Sequence, residues 1–228
     1  MIFLYRFLTT VLYPLFIIII YFRKFIGKEH QNRFKEKIFF NKTKFNKENG
    51  KKVLWFHAAS IGEVQSIFPI IDSINEKKNI EFLITTVTLS SGDLVEKKIK
   101  NHQNIRHRYF PVDNFFLINN FLNSWKPDLA VFVDSEIWPN LLLELKRKKI
   151  SSILINARIT EKTFKRWMMI SGLAKKIFYI FDLCLVSNNE TKDYLSKLNA
   201  KNIKFIGNIK LAVKINIKNI KDINGINL

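Results

Sequence analysis

The chain has 228 residues, enough for one or two domains and a sizeable core, and 47% of them are hydrophobic, which excludes a disordered protein. Its 38 Lys and Arg against 19 Asp and Glu leave a net charge of +19. That field attracts anions such as nucleic acid, anionic lipid headgroups or phosphorylated substrates; general solubility is the plain alternative.

Residues 2–22, IFLYRFLTTVLYPLFIIIIYF, are apolar except for Arg6. As one helix they span roughly 30 Å, the thickness of a bilayer core. Pro14 is tolerated in a membrane helix, and Tyr5, Tyr13 and Tyr21 suit its interfaces. A buried core helix is the alternative; a signal peptide lacks its cleavage site, since Arg23, Lys24 and Lys28 follow. Basic residues stay dense through Arg33, Lys35, Lys37, Lys42, Lys44, Lys47, Lys51 and Lys52, against Glu29, Glu36 and Glu48. The positive-inside rule then puts the rest of the chain in the cytoplasm, with this cluster against an anionic membrane surface. Nucleic-acid binding is the competing use, but no reader motif accompanies it.

The polar stretch 41–51 reads as a linker. Beyond it, apolar strand candidates at 52–57, 80–86, 105–110, 128–133, 150–155, 181–186 and 203–206 alternate with helical patterns near 62–75, 90–100, 113–124, 138–148, 161–179 and 189–198. Such alternation predicts an α/β fold, a Rossmann-like parallel sheet with helices on both faces. The expected layout is a membrane anchor at 1–22, a basic juxtamembrane segment and linker at 23–50, the Rossmann-like domain at 51–210, and the start of an interdomain linker at 211–228. Cys184 lies in the apolar run FDLCLV, so no disulfide framework and no Cys-based metal site is open to the chain. The four histidines show no metal-ligand spacing.

In such folds sites form beyond the C-terminal ends of the strands. Three loops qualify: those after residues 57, 86 and 133. In HAASIGEV, Ser60 and Glu63 fit a capping box. Glu63 at a strand mouth equally suits a general base, with Gly62 leaving room for a substrate. In VDSEIWPN, Asp134 and Glu136 are two apart. They read as a carboxylate pair, as a hard-cation site, or as the approach to a helix opened by Pro139. Thr85, Thr86, Thr88, Ser90 and Ser91 offer hydroxyls at the second loop. Arg158 is a candidate anion binder, and Lys210 follows Gly207-Asn208-Ile209.

Taken together, HAASIGEV, TTVTLSSG, HRYFPVD, KPDLAVFVDSEIWPN, INARIT and IGNIK resemble the 3-deoxy-D-manno-octulosonic acid (Kdo) transferases of lipopolysaccharide biosynthesis. The resemblance implies the N-terminal half of a glycosyltransferase B fold, anchored at the cytoplasmic face of the bacterial inner membrane. It implies transfer of Kdo from CMP-Kdo to a lipid A precursor with inversion, with no cofactor or required metal. Glu63 falls on the family's proton acceptor. Asp134 and Lys210 fall on its transition-state stabilisers, with Asp134 standing where the family usually has Glu. Ser60, Gly62, Glu136 and Arg158 are then candidate substrate contacts. The family's donor domain would follow the last residues here, so a chain of this length is expected to bind acceptor weakly and transfer nothing alone. A non-catalytic membrane-bound lipid-binding module is the alternative.

Overall fold

The structure is a computed structural model and describes residues 1–39, 47, 50–75 and 79–209. Seven parallel strands form one sheet: β1 (Lys52–His57), β2 (Ile80–Thr86), β3 (Ile105–Tyr109), β4 (Leu129–Val133), β5 (Ser151–Ala157), β6 (Leu183–Val186) and β7 (Ile203–Phe205). Their order is β3-β2-β1-β4-β5-β6-β7. The chain winds outward from β1 to one edge, returns to the centre at β4 and continues to the other edge.

Alternation along each strand supplies two cores. Leu54 and Phe56 of β1 join Leu129, Val131 and Val133 of β4 on the face covered by α3 (Ile61–Asn75) and α4 (Leu89–Ile99). Val53 and Trp55 join Ala130 and Phe132 on the opposite face. That face is covered by α5 (Phe115–Trp125), α6 (Pro139–Arg147) and α8 (Ser171–Phe178). A sheet buried on both sides explains why its strands read as continuous apolar runs. Gly92 has a steric role: a Cβ there would meet the Tyr109 hydroxyl at 2.4 Å.

The expected helix over 161–179 is two helices, α7 (Glu161–Met169) and α8. Ile170 leaves helical geometry (φ −121°, ψ 40°), and Ser171-Gly172 are weak helix formers.

The single anchor helix over 2–22 is also corrected. The segment forms α1 (Ile2–Val11) and α2 (Tyr13–Phe25), bent by 51°. Pro14 has no N–H to give to Thr10, and its ring clashes with that carbonyl, so the helix breaks at Leu12. Among the described residues no single helix is long and apolar enough to cross a membrane; only the bent pair together reaches that length and composition. Two of the three tyrosines are turned inward to protein groups. Tyr5 donates to Asp113 Oδ2 (2.9 Å) and Tyr13 donates to the Ile38 carbonyl. Arg6 pairs with the buried Glu144 (2.8 Å), and Asn140 Nδ2 donates to Thr9 Oγ1 (3.1 Å). Tyr5, Arg6 and Thr9 thus fasten α1 to the start of α5 and to α6. Phe3, Leu4, Phe7, Leu8, Leu15, Ile18 and Phe22 remain exposed.

Much of the basic cluster is also engaged by protein. Arg23 and Lys37 share Glu29; Lys47 and Lys52 reach Asp128. Arg33 grips Glu36 (2.7 Å) and Glu96 (2.6 Å), and its guanidinium also meets His107. The result is a clasp between residues 33–37 and β3.

Hydrogen bonding to His107 outweighs partial burial and holds Glu96 down at about 2, with Arg33 adding to the effect. A depressed carboxylate stabilises the fold above its unfolded value of 4.5, and that contribution is lost as pH falls through about 2. Burial pushes His107 below 6.5, so its contribution too fades as pH falls below that value. Asp113 runs the other way. Burial raises it to about 6, against the pull of its donors, so its share is fullest below 3.8 and lost as pH rises through about 6. Glu96→Gln is therefore expected to flatten the acid side of a plot of Tm against pH between 4.5 and 2. An unchanged slope there would remove Glu96 from the account.

Candidate active site

Strand order reverses between β1 and β4, and in open α/β sheets the crevice beyond their C-terminal ends is the usual ligand site. The loops leaving those two strands carry Ser60–Glu63 and Asp134–Glu136. His57 at the end of β1 pairs in register with Phe132 of β4 and Thr85 of β2.

Glu63 is in the first turn of α3 and only 7% exposed. Its Oε2 accepts from the Ala59 N–H (2.8 Å) and its Oε1 from the Ser60 hydroxyl (2.6 Å). The Glu63 N–H points back to Ser60 Oγ (3.4 Å). The carboxylate is therefore folded back as a cap, reaching Ala59 rather than the Ser60 N–H that a standard capping box uses. Burial nevertheless raises its pKa above 4.5, overriding the two hydrogen bonds, and the charges of Glu136 and Asp134 add to the rise. A base of raised affinity for protons, held at a helix N-terminus beside two other acids, is the combination acid–base chemistry uses.

Asp134 closes β4 in the left-handed region, with φ at 64°. Its N–H is held by the Ile155 carbonyl (3.0 Å). A non-glycine residue in that region is strained, and such strain concentrates at functional turns. The turn puts the chain out of extended geometry, so Asp134 and Glu136 do not sit as a simple same-face pair. Glu136 instead turns toward β1. It accepts from Trp138 Nε1 (3.0 Å) and lies 3.3 Å from His57 Nε2. Burial alone would raise Glu136, but the hydrogen bond to His57, with that from Trp138, leaves it below 4.5. The two glutamates are thus driven apart, Glu63 up and Glu136 down. No group of three or more His, Cys, Asp or Glu is gathered for a metal among the described residues.

The remaining candidates are spread around this centre. Gly62 has open space where a Cβ would stand, and no positive φ. Arg158 is exposed; its carbonyl accepts from the Ser135 hydroxyl, so its backbone touches the second loop. Lys210 lies outside the described residues. The chain just before it is held by Asn156, whose Oδ1 accepts from the Ile209 N–H (3.2 Å). Thr88 caps α4, and Ser91 donates to the Ala59 carbonyl (3.0 Å), so those hydroxyls brace the first loop. Sequence reasoning missed His57, Trp138 and Asn156. All three lie inside the quoted motifs: His57 and Asn156 stand at strand ends and Trp138 directly before Pro139, and those positions are the available signal.

The sequence matches the family model for 3-deoxy-D-manno-octulosonic-acid transferase (kdotransferase) over residues 32–213. The chain belongs to this Kdo transferase family. It is 33% identical over 210 residues to the 3-deoxy-D-manno-octulosonic acid transferase of Rickettsia bellii (strain RML369-C), covering 92% of this chain and 49% of that protein. It is 34% identical over 165 residues to a probable mitochondrial 3-deoxy-D-manno-octulosonic acid transferase of Arabidopsis thaliana, covering 72% of this chain and 36% of the relative. The chain therefore spans about half the length, or less, of these curated relatives. Among solved structures, UDP-GlcNAc 2-epimerase from Neisseria meningitidis bound to UDP-GlcNAc superposes with a TM-score of 0.51 at 15% identity. It covers 71% of this chain and 48% of that one. At that identity it shares the fold alone. The stretch matched to the Kdo transferase family contains Glu63, Asp134, Glu136, Arg158 and Lys210.

Proposed function

We propose that this chain is the acceptor-side part of a glycosyltransferase that moves Kdo from CMP-Kdo onto a lipid A precursor in lipopolysaccharide biosynthesis. The observation that carries the reading is the convergence of Glu63, Glu136 and Asp134 on the β1–β4 switch point, within a stretch matched to the Kdo transferase family. In the proposed step an acceptor hydroxyl oxygen attacks the Kdo anomeric carbon with inversion. The bond from that carbon to the CMP phosphate oxygen breaks, and the electron pair leaves with CMP. Glu63 takes the hydroxyl proton, exchanging its Ser60 bond for one to the acceptor. Asp134 and Lys210 stabilise the transition state, and Glu136, Arg158 and Ser60 contact substrate. The lipid A precursor binds this chain; most of the CMP-Kdo site belongs to a part of the enzyme not contained in it.

Gly62 supplies a test that separates fold from binding. Ala is the better helix former, and no atom opposes its methyl, so Gly62→Ala is expected to leave stability unchanged or raised by about 0.5–1 kcal/mol. The same methyl fills the approach to Glu63 and is expected to weaken binding of lipid A precursor in detergent micelles. Undiminished binding would remove this surface from the acceptor site.

We further propose that the exposed faces of α1 and α2 rest on the cytoplasmic face of the bacterial inner membrane. Flotation with anionic vesicles checks this; a Phe3→Ser, Phe7→Ser, Phe22→Ser variant that still floats equally well would contradict it.

A further inference from the structure

His57 takes no part in the proton transfer just described, yet it is the residue that physically joins the two site loops. It is fully buried at the end of β1. Its Nδ1 lies 2.8 Å from Thr85 Oγ1, and its Nε2 lies 3.3 Å from Glu136 Oε2. Thr85, also fully buried, receives the indole N–H of Trp55 at 2.8 Å. The Thr85 oxygen has a second lone pair, but its O–H finds no other acceptor among the described residues, so donation to His57 Nδ1 is the arrangement that leaves no buried donor unpaired. The ring must then carry its proton on Nε2, the nitrogen that faces Glu136.

Aromatic packing fixes the ring plane. The His57 centroid lies 4.3 Å from Phe110 and 6.1 Å from Phe132. Trp55 itself is wedged among Phe110, Phe121 and Phe132. The relay therefore starts in the rigid core and ends on a carboxylate at the switch point.

We propose that His57 is a positioning residue: fixed as the Nε2–H tautomer by Thr85 and Trp55, it holds the Glu136 carboxylate and joins the β1 and β4 loops into one unit. This deepens the functional reading above and rests on it for its catalytic meaning, though the relay itself needs no substrate. The titratable groups acting at this point are His57 from β1, Glu63 from α3, and Asp134 and Glu136 from the β4 loop. Keeping Glu136 anionic while Glu63 is protonated more readily gives the pair distinct roles.

The test uses nuclear magnetic resonance on the 228-residue chain, with no donor or acceptor present, so failure of the transferase reading leaves it intact. Imidazole nitrogen spectra are expected to show His57 as a single Nε2–H tautomer, and Thr85→Val is expected to turn that into a mixture. The side-chain carboxyl carbon of Glu136 is expected to titrate higher in His57→Leu by roughly one pH unit, the scale of a lost hydrogen bond to the charged form. His57→Gln keeps an N–H donor and is expected to recover most of the shift. An Nδ1–H tautomer in the native chain would overturn the proposal without any variant. So would a folded His57→Leu chain in which Glu136 titrates as before, since mere packing would lower Tm without moving that titration. If His57→Leu does not fold, the Thr85→Val spectrum decides: an unchanged tautomer overturns the proposal.

Discussion

Glu63→Gln is expected to lower Kdo transfer roughly 10²–10⁴-fold, the usual worth of a general base. Joining this chain to the remaining half of the Rickettsia bellii relative gives an enzyme in which to measure it. The variant should still fold. Gln keeps one carbonyl oxygen for the Ala59 N–H or the Ser60 hydroxyl, and the loss of the second bond costs about 1 kcal/mol. The ionised form also carries a burial cost that Gln avoids. Because burial raises Glu63, its favourable contribution to stability is complete below 4.5 and lost as pH rises through the raised value. At neutral pH the two effects oppose, and the change in Tm should be small. The pH profile is the sharper readout. Transfer by the parent should fail on the acid side at a pH above 4.5, where Glu63 takes up its proton. The residual activity of Glu63→Gln should lack that limb. A variant with parental rate and profile would leave Glu63 as a cap and nothing more.

The largest structural effect should come from Asp113→Ala. Asp113 is buried, and its carboxylate accepts from the Asn140 N–H (2.9 Å), the Leu141 N–H (3.0 Å) and the Tyr5 hydroxyl (2.9 Å). It therefore caps α6 from a distant stretch of chain and ties α1 down in the same contact. Removing it strands buried donors that each cost about 1–3 kcal/mol. Allowing for relaxation and water entry, a loss on the order of 3 kcal/mol is expected, which is roughly 6–12 °C in Tm for a domain of this size. The N-terminal helices should also loosen, and limited proteolysis near Leu12 should accelerate. If Tm falls by less than about 2 °C and the cleavage rate is unchanged, α1 is not held by this contact.

Glu63 and Asp113 mark the division between what is legible in the sequence and what is not. The strands were legible because a sheet buried on both faces leaves unbroken apolar runs, as in VLWF and LAVFV. The Glu63 cap was legible because it is local: Ser60 and Glu63 lie within one turn. Asp113 was not, because its partners are Tyr5, Asn140 and Leu141, brought together only by the fold. The relay from Trp55 through Thr85 and His57 to Glu136 was hidden for the same reason. The broken anchor had a signal in Pro14 and Arg6. Pro14 is tolerable in a membrane helix by pattern, but its missing N–H and its ring end α1 just before it. Arg6, the one charge in the apolar run, pairs with the buried Glu144. Asp134 reads as half of an extended carboxylate pair until its positive φ is seen.

The most direct test of the account is the mass of the acceptor. Lipid A precursor is incubated with CMP-Kdo and this chain completed by the remaining half of the Rickettsia bellii relative. The reading predicts a mass increase of one or more Kdo units with matching release of CMP, largely lost in Glu63→Gln. A completed protein that melts cooperatively and binds both substrates, yet leaves the acceptor mass unchanged, would contradict it.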